Sequence, residues 1–148
     1  MKIVVQRTKE ARVLVDHKEV GSIQQGFLLL VAIEKDDTIG DRKYCAKKVS
    51  GLRIFEDEDG KLNLNIHQVG GEILSVSQFT LAGNVEKGNR PSFTNAQVPE
   101  LAKKQFDEFN NLLRDLGCTV VEGVFQTEMD VELINNGPVT LIIESSGR

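Results

Sequence analysis

The apolar run at residues 26–33 restricts the fold of this chain more than any other feature of the sequence. A strand with one face in water alternates apolar and polar residues, whereas a strand that is covered on both faces is apolar throughout. The run is also far too short to span a bilayer. We therefore expect a buried strand here, with other parts of the chain packed against each of its faces.

Two segments have the spacing of amphipathic helices. The clearer one extends from about residue 99 to residue 116, with Pro99 suited to its first turn and Gly117 suited to its end. Its predicted apolar stripe consists of Leu101, Gln105, Phe106, Phe109, Leu112, Leu113 and Leu116. An earlier helix is predicted to begin after the N-cap candidates at residues 36–38. Its apolar positions are Ile39, Ala46, Val49 and Leu52, and its basic residues Arg42, Lys43, Lys47 and Lys48 are expected largely on the opposite side.

The other apolar segments predict short strands separated by turns. Residues 3–5 and 13–15 are expected to form two strands with a tight connection. Residues 135–138 are predicted as a turn before a final strand at residues 139–143. Further strands are expected near residues 54, 62–66, 73–77, 120 and 129–133. We predict one α+β domain over residues 1–148, with two main helices and a mostly antiparallel, barrel-like sheet.

Composition excludes several classes of protein. Apolar residues make up 40% of the chain and charged residues 27%, a balance typical of a soluble globular domain. Polar Gln6 and Arg7 follow the first apolar residues too early for a signal peptide. Cys45 and Cys118 lack the spacing of a metal motif or a disulfide framework, and the chain has only 2 histidines. We therefore expect a cytoplasmic protein with no membrane anchor and no metal site.

The formal net charge of −4 limits the kind of nucleic-acid partner that the chain can have. Proteins that wrap duplex nucleic acid usually present a large basic surface. We expect this chain to hold an RNA partner only locally, at an end or a loop. On charge alone, a small anionic or neutral ligand is equally compatible with the sequence.

The first segment with chemical potential is residues 77–81. It places the hydroxyls of Ser77 and Thr80 and the amide of Gln78 at the end of a predicted strand, where a long loop begins. Such hydroxyls more commonly satisfy local backbone groups, with neighbouring apolar residues in the core. From composition alone, this structural interpretation is favoured.

A second segment contains Gly137 and Pro138. A plain turn is the default expectation for such a dipeptide. A functional alternative is that its carbonyls point into a pocket, where rigid oxygens would test the chirality of a ligand without contacting its side chain. Arg7, at the end of the first predicted strand, is either a surface charge or a support for such a carbonyl turn.

The polar loop at residues 87–93 is a third candidate. Lys87 and Arg90 could contact a phosphate and Phe93 could stack on a base, but a solvated loop anchored by Phe93 explains the same pattern. A Ser-His-Asp triad would need His17 or His67, and neither lies near a recognisable nucleophile motif. Glycine-rich phosphate-binding loops are also missing from the sequence.

Considered together, the segments at residues 77–81 and 136–140 resemble the two signature motifs of D-aminoacyl-tRNA deacylases. The similarity extends over essentially the whole chain. It includes residues 5–7, the loop at residues 87–91 and the alternating segment 129–133. Either motif alone has little specificity, whereas both in this order and at this separation are highly specific.

The resemblance implies hydrolysis of the ester between a D-amino acid and the 3′-terminal adenosine of tRNA. Glycine mischarged on tRNA-Ala is a further candidate substrate. The implied enzyme is a homodimer that needs no metal or organic cofactor and has two composite sites at the subunit interface. In each site, the resemblance assigns catalytic positions to Ser77, Gln78, Phe79 and Thr80, and substrate-binding positions to Arg7, Met129, Gly137 and Pro138.

In the implied site, Gly137–Pro138 is cis, comes from the partner subunit and selects the D-enantiomer, while Arg7 fixes its orientation. Met129 lies near the adenine. Hydrolysis is assisted by the substrate's own 2′-hydroxyl and by backbone donors around Phe79. A competing mechanism makes Thr80 or Ser77 a nucleophile or a proton relay.

The sequence departs from the family pattern in two places. Ala82 stands where the family often has an aromatic residue, and Gln126 and Thr127 stand where it often has Gly-Ala. These differences concern the wall of the pocket more than the reaction. They leave two alternatives open: a dimeric protein that binds adenosine-ended RNA or nucleotides without catalysis, and a hydrolase of free D-amino acid esters.

Overall fold

The computed structural model describes residues 1–145. The described elements are β1 (Lys2–Val15), β2 (Lys18–Ile23), β3 (Gly26–Ala32), α1 (Ile39–Gly51), β4 (Phe55–Glu56), β5 (Leu62–Leu64), β6 (Glu72–Ser77), a 3-10 helix (Phe79–Ala82), α2 (Pro99–Asp115), β7 (Val120–Glu122) and β8 (Asp130–Glu144). Two α-helices and a set of mostly short strands confirm the predicted α+β class.

The main sheet has the strand order β2-β1-β3-β6-β7, and β8 pairs with β1 as well. β1 is antiparallel to β2, β3 and β8, whereas β3, β6 and β7 are mutually parallel. The sheet curls so far that β2 lies next to β7. A Cβ built on Gly21 of β2 would lie only 2.8 Å from Val121 Cγ1 of β7. The result is a nearly closed, barrel-like sheet, as predicted.

β3 separates two apolar clusters, because successive side chains of a strand point to opposite faces. Phe27, Leu29 and Val31 pack in the cluster that also contains buried residues of α1 and α2. Leu28 packs with Leu74 and other residues inside the curled sheet. The unbroken apolar run is therefore explained by two covered faces, which confirms the first prediction from the sequence.

Two strand predictions were wrong. Residues 3–5 and 13–15 belong to one continuous strand, β1, because its first half pairs with β3 and its second half with β2, while β8 pairs along both. The polar residues between them do not interrupt the strand, since neighbours satisfy their backbone groups. Residues 130–144 likewise form one strand, β8, instead of two strands separated by a turn.

Both helices lie where they were predicted, although their buried faces differ from the expected ones. At the start of α1, the Asp41 carboxylate accepts a hydrogen bond from the Thr38 N–H at 2.8 Å. Arg42, expected on the solvent side, is buried and forms an ion pair of 3.0 Å with Glu108 of α2. Leu101 and Leu116 are exposed instead of buried, because they lie at the two ends of α2, outside its packed middle.

Within residues 1–145, no helix has the length and apolar character that crossing a bilayer requires.

Candidate active site

The end of β6 brings the first sequence motif to the rim of a cavity. Ser77 is the last residue of β6 and pairs with Val31 of β3. The Gln78 N–H donates to the Val31 carbonyl at 2.8 Å, so Gln78 is also held against β3. The chain then turns into the 3-10 helix that begins at Phe79. This change of direction leaves the three residues facing an open space.

That space is a cavity of about 770 Å³. Its lining combines the end of β6 and the segment after β3 with the start of α2 and the segment before β8. The predicted site residues that line it are Ser77, Gln78, Phe79 and Met129. The volume falls in the usual range for small-molecule sites, so the cavity can hold a nucleoside with an attached group but no duplex.

Thr80 lies beside the cavity lining and is exposed. The Gln78 side-chain amide donates a hydrogen bond to Thr80 Oγ1. In the 3-10 helix, the first backbone hydrogen bond runs from the Leu81 N–H to the Gln78 carbonyl. The preceding N–H groups of Phe79 and Thr80 therefore have no acceptor within the helix. They are potential donors at the edge of the cavity.

Aromatic and sulfur-containing side chains form the apolar part of the wall. The rings of Phe79 and Phe93 meet edge to face, with their centroids 5.2 Å apart. Met129 accepts a hydrogen bond from the Val124 N–H through its sulfur at 3.3 Å. A Cβ built on Gly123 would lie 3.0 Å from that sulfur, so glycine lets Met129 pack close to the backbone.

Arg7 is buried beneath the second sequence motif. Its Nε donates to the Asn136 carbonyl at 2.9 Å, and its Nη1 donates to the Ile54 carbonyl at 2.8 Å. Its Nη2 lies 3.7 Å from the exposed carboxylate of Glu56. Of the two interpretations of Arg7 from the sequence, the structure therefore supports a residue that holds a carbonyl turn.

The second motif forms an excursion in β8 opposite Arg7. Gln6 pairs with Thr140 and Thr8 pairs with Asn135, so residues 136–139 of β8 stand opposite one residue of β1. Within this excursion the Gly137–Pro138 bond is cis, and both residues are exposed. The Asn135 side chain accepts a hydrogen bond from the Val139 N–H at 2.8 Å, which braces the excursion from within.

In one chain, the two motifs do not meet. The strands β8, β1, β3 and β6 lie side by side, with Arg7 opposite Phe27 and Ser77 opposite Val31. Strand dimensions place the Gly137–Pro138 excursion about 13 Å along the strands and about 14 Å across them from Ser77. The cavity accordingly contains Met129, near the start of β8, but neither Gly137 nor Pro138.

The remaining candidates divide between the cavity and the surface. Phe93 lines the cavity, whereas Lys87 and Arg90 lie in the exposed part of the loop and do not. Neither His17 nor His67 lines the cavity. Among the described residues, no cluster of metal-ligating side chains is present.

Lys35, Gln97 and Phe125 also form part of the cavity wall, although no sequence motif indicated them. The position of Lys35 two residues after Ile33 was an available signal, since alternate residues of an extended segment share a side. Gln97 and Phe125 come from segments without a motif, so only the folded chain brings them to the site.

A smaller cavity of about 380 Å³ lies between β1, β2 and β8. It contains neither motif, and its Arg12 already forms an ion pair of 2.6 Å with Glu132. We therefore place the candidate active site in the larger cavity.

Comparison with known proteins assigns this chain to a family. The model of the D-Tyr-tRNA(Tyr) deacylase family matches residues 4–144, which include both motifs. The chain belongs to this family. The prediction made from the two motifs is thereby confirmed.

Two deacylases and one solved structure are similar to this chain over nearly their whole length. A D-aminoacyl-tRNA deacylase of Desulfatibacillum aliphaticivorans is 54% identical over 145 residues, covering 98% of this chain and 99% of the relative. One of Geobacter sulfurreducens is 51% identical over 148 residues, covering 100% and 97%. The solved structure of a c-Myc DNA Unwinding Element Binding Protein has a TM-score of 0.94 and 37% identity, covering 99% of this chain and 100% of that one.

Within the deacylase family pattern, the two departures of this chain occupy different places. Ala82 is the buried last residue of the 3-10 helix and does not line the cavity, whereas Gln126 and Thr127 do. Only the second departure changes the wall that a ligand would contact.

Proposed function

We propose that this chain removes D-amino acids from mischarged tRNA in the cytoplasm, as a homodimer with two composite active sites. D-aminoacyl-tRNA deacylation, a hydrolysis of the aminoacyl ester, is the activity of its family. The observation that most supports the composite site is the separation of the two motifs within one chain. A second copy is needed to bring Gly137 and Pro138 to a cavity that contains Gln78.

The outer surface of β8 supports the proposed dimer. Ile134, Leu141 and Ile142 are exposed, with Ile142 at 69%. Leu141 and Ile142 point to opposite faces because they are consecutive in the strand. Large exposed apolar side chains on a strand that pairs only with β1 are nevertheless typical of an interface between protein chains. Because the same strand contains the Gly137–Pro138 excursion, a partner that covers β8 would receive that dipeptide at its own surface.

The chemistry of the cavity favours assistance by the substrate. Among its described lining residues there is no carboxylate and no imidazole that could serve as the base for a nucleophilic hydroxyl of Ser77 or Thr80. In the proposed reaction, the oxygen of a water molecule attacks the ester carbonyl carbon and the bond to the 3′-oxygen breaks. The 2′-hydroxyl of the terminal ribose helps to transfer the proton from the water to the 3′-oxygen. The products are a free D-amino acid and tRNA with a free 3′-hydroxyl.

Backbone donors would stabilise the charge that develops on the carbonyl oxygen. The N–H groups of Phe79 and Thr80 have no acceptor within the 3-10 helix, and Phe79 lines the cavity. Loss of one such donor typically costs about 10²–10³-fold in turnover. Gln78 holds the Thr80 side chain, so it supports the turn that presents both donors.

Selection of the D-enantiomer is assigned to the partner's Gly137 and Pro138. Arg7 is buried and donates to the carbonyl of the preceding residue, Asn136, so the peptide that leads into the dipeptide is fixed in position. Oxygens held rigidly on one side of the substrate's Cα would exclude the substituent of an L-amino acid.

Hydrolysis of D-Tyr-tRNA and L-Tyr-tRNA tests the activity, with glycyl-tRNA-Ala as a third substrate. We expect rapid loss of the D-ester and little loss of the L-ester. Saturable binding of tRNA without loss of the ester would instead favour a non-catalytic binding protein. Equal rates with free D-tyrosine esters and D-Tyr-tRNA would favour a general esterase. Gln78→Ala is expected to reduce turnover while the dimer stays intact.

Mixing two defective variants tests the composite site. In Gly137→Ala, the new Cβ would lie 2.9 Å from Arg7 Nη2, which displaces the dipeptide, while Gln78→Ala damages the cavity. If the dipeptide acts across subunits, a mixed dimer contains one site with both residues intact, and mixing should restore D-selective hydrolysis, which neither parent shows. If mixed dimers form and gain no D-selective hydrolysis, the composite site is refuted.

A further inference from the structure

Lys35 is the only charged residue among the described residues that line the cavity. The other polar groups there are hydroxyls and amides, such as those of Ser77, Gln78 and Thr127. A cavity lined by uncharged groups and one cation is suited to a ligand whose bound part is uncharged and is directly followed by one negative group.

The backbone fixes the side on which Lys35 emerges. The Lys35 N–H donates to the Asn95 carbonyl at 3.0 Å, and the Gln97 N–H donates to the Ile33 carbonyl at 3.0 Å. These two bonds hold the segment after β3 against the loop before α2. Because alternate residues of an extended segment share a side, Ile33 and Lys35 both face the cavity while Glu34 points away.

Nearby acidic residues do not neutralise Lys35. Glu34 and Asp37 lie 3.1 Å and 2.5 Å from the Met1 ammonium, which draws both carboxylates to the other side of the segment. Within residues 1–145, no ion pair involves Lys35. Its ammonium is therefore available to an external anion.

We propose that Lys35 binds the phosphate that joins the terminal adenosine of the tRNA to the preceding nucleotide. The inference rests on the proposed function, since it assumes that the terminal aminoacyl-adenosine occupies the cavity. The 5′-phosphate is the closest negative charge to that nucleoside, and an unpaired lysine at a neutral cavity is its natural partner. Lys35 then distinguishes a nucleotide at the end of RNA from a free nucleoside ester, despite the net charge of −4.

Esters that differ only in the phosphate test this role. The substrates are D-Tyr-tRNA, 3′-O-D-tyrosyl-adenosine 5′-monophosphate and 3′-O-D-tyrosyl-adenosine. For Lys35→Gln, kcat/KM should fall about tenfold more with the two phosphate-containing esters than with the nucleoside ester, as for a charge-assisted hydrogen bond. The dependence of log kcat/KM for tRNA on log salt concentration should also become less steep by about 0.7.

Lys47→Gln is the matched control, because Lys47 is an exposed lysine of α1 that does not line the cavity and the substitution changes the net charge equally. It should affect all three esters alike. An equal loss on all three esters in Lys35→Gln, or no loss on any, overturns the phosphate role while the activity of the wild type still supports the proposed function.

Binding provides a readout that does not depend on hydrolysis. Wild-type protein should bind the dinucleotide CpA more tightly than adenosine, and Lys35→Gln should lose this difference. A preserved preference for CpA in the variant refutes the role of Lys35. If wild-type protein binds CpA preferentially but hydrolyses none of the D-esters, the proposed catalysis is refuted, whereas the proposed phosphate site is supported.

Discussion

Replacement of Arg7 by Lys tests whether this buried guanidinium fixes the position of the Gly137–Pro138 dipeptide. Arg7 donates to two carbonyl oxygens, those of Asn136 and Ile54, and only 4% of the residue is exposed. The single ammonium of lysine cannot reproduce the fork of two separate donors. At least one of the two carbonyls therefore loses its partner.

The magnitude follows from these contacts. One charge-assisted hydrogen bond contributes about 1.5–3 kcal/mol. The pair with Glu56 adds little, because the atoms are 3.7 Å apart and the Glu56 side chain is 58% exposed. We expect Arg7→Lys to lose about 2–3 kcal/mol of unfolding free energy, which lowers the melting temperature by about 4–12 °C in a domain of this size.

The functional consequence is a loss of discrimination. If the Asn136 carbonyl shifts, the oxygens of the dipeptide are no longer held against the substrate of the partner subunit. We expect the ratio of kcat/KM for D-Tyr-tRNA to that for L-Tyr-tRNA to fall at least about tenfold, which corresponds to about 1.4 kcal/mol. Thermal unfolding and single-turnover deacylation of both esters measure the two effects.

Arg53→Lys provides the control. Arg53 also donates to a backbone carbonyl, that of Asn63 at 2.9 Å, but it is exposed and does not contact the dipeptide. Its substitution should leave both measurements close to those of the wild type. An Arg7→Lys protein with an unchanged melting temperature and an unchanged D/L ratio would refute the argument that Arg7 is the anchor.

Two further substitutions test the backbone and the amino terminus. Gly26→Ala should prevent stable folding, because at φ +157° its Cβ would lie 1.7 Å from the Glu72 carbonyl oxygen. The control is Gly51→Ala, whose Cβ would lie in open space and which should stabilise α1 by about 0.5 kcal/mol. Urea unfolding measures the stability of both variants, and a stable Gly26→Ala protein would contradict the reasoning. Burial alone lowers the pKa of the Met1 ammonium, but the hydrogen bonds and charges of Asp37 and, to a lesser extent, Glu34 together outweigh it and raise that pKa above its ordinary value of 8.0. Because this pKa is higher in the folded than in the unfolded protein, the charged ammonium contributes its full stabilisation at pH values below the unfolded-state pKa. The stabilisation is lost as the pH rises through the folded-state pKa. The melting temperature should therefore fall more steeply above pH 8 in the wild type than in Asp37→Asn, and equal slopes would show that the ion pair is unimportant.

Local sequence patterns correctly predicted the elements whose surroundings are the same along their whole length. The run at residues 26–33 predicted a strand covered on both faces, and β3 is such a strand. The stripe after Pro99 predicted α2, because apolar spacing and the residues at helix ends are both local signals. The two family motifs are local as well, so the sequence alone was sufficient to identify the family.

Elements whose neighbours change along their length were predicted less well. β1 was expected as two strands because its middle is polar, but β8 pairs with it throughout and supplies the missing backbone partners. Arg42 was expected in water because it is charged, yet it is buried in the ion pair with Glu108 of α2. Such outcomes depend on residues more than fifty positions away in the chain.

The sequence by itself determined the family, the buried central strand, the two helices and the residue types available for chemistry, because each is encoded within a short window. Only the tertiary structure decided that Gln78 and Met129 share one cavity, that Lys35 is the single charged residue among the described residues of its lining, and that Gly137 and Pro138 lie on another part of the sheet. The physical reason is that strand order and register, which set these distances, arise from pairing between segments far apart in the chain.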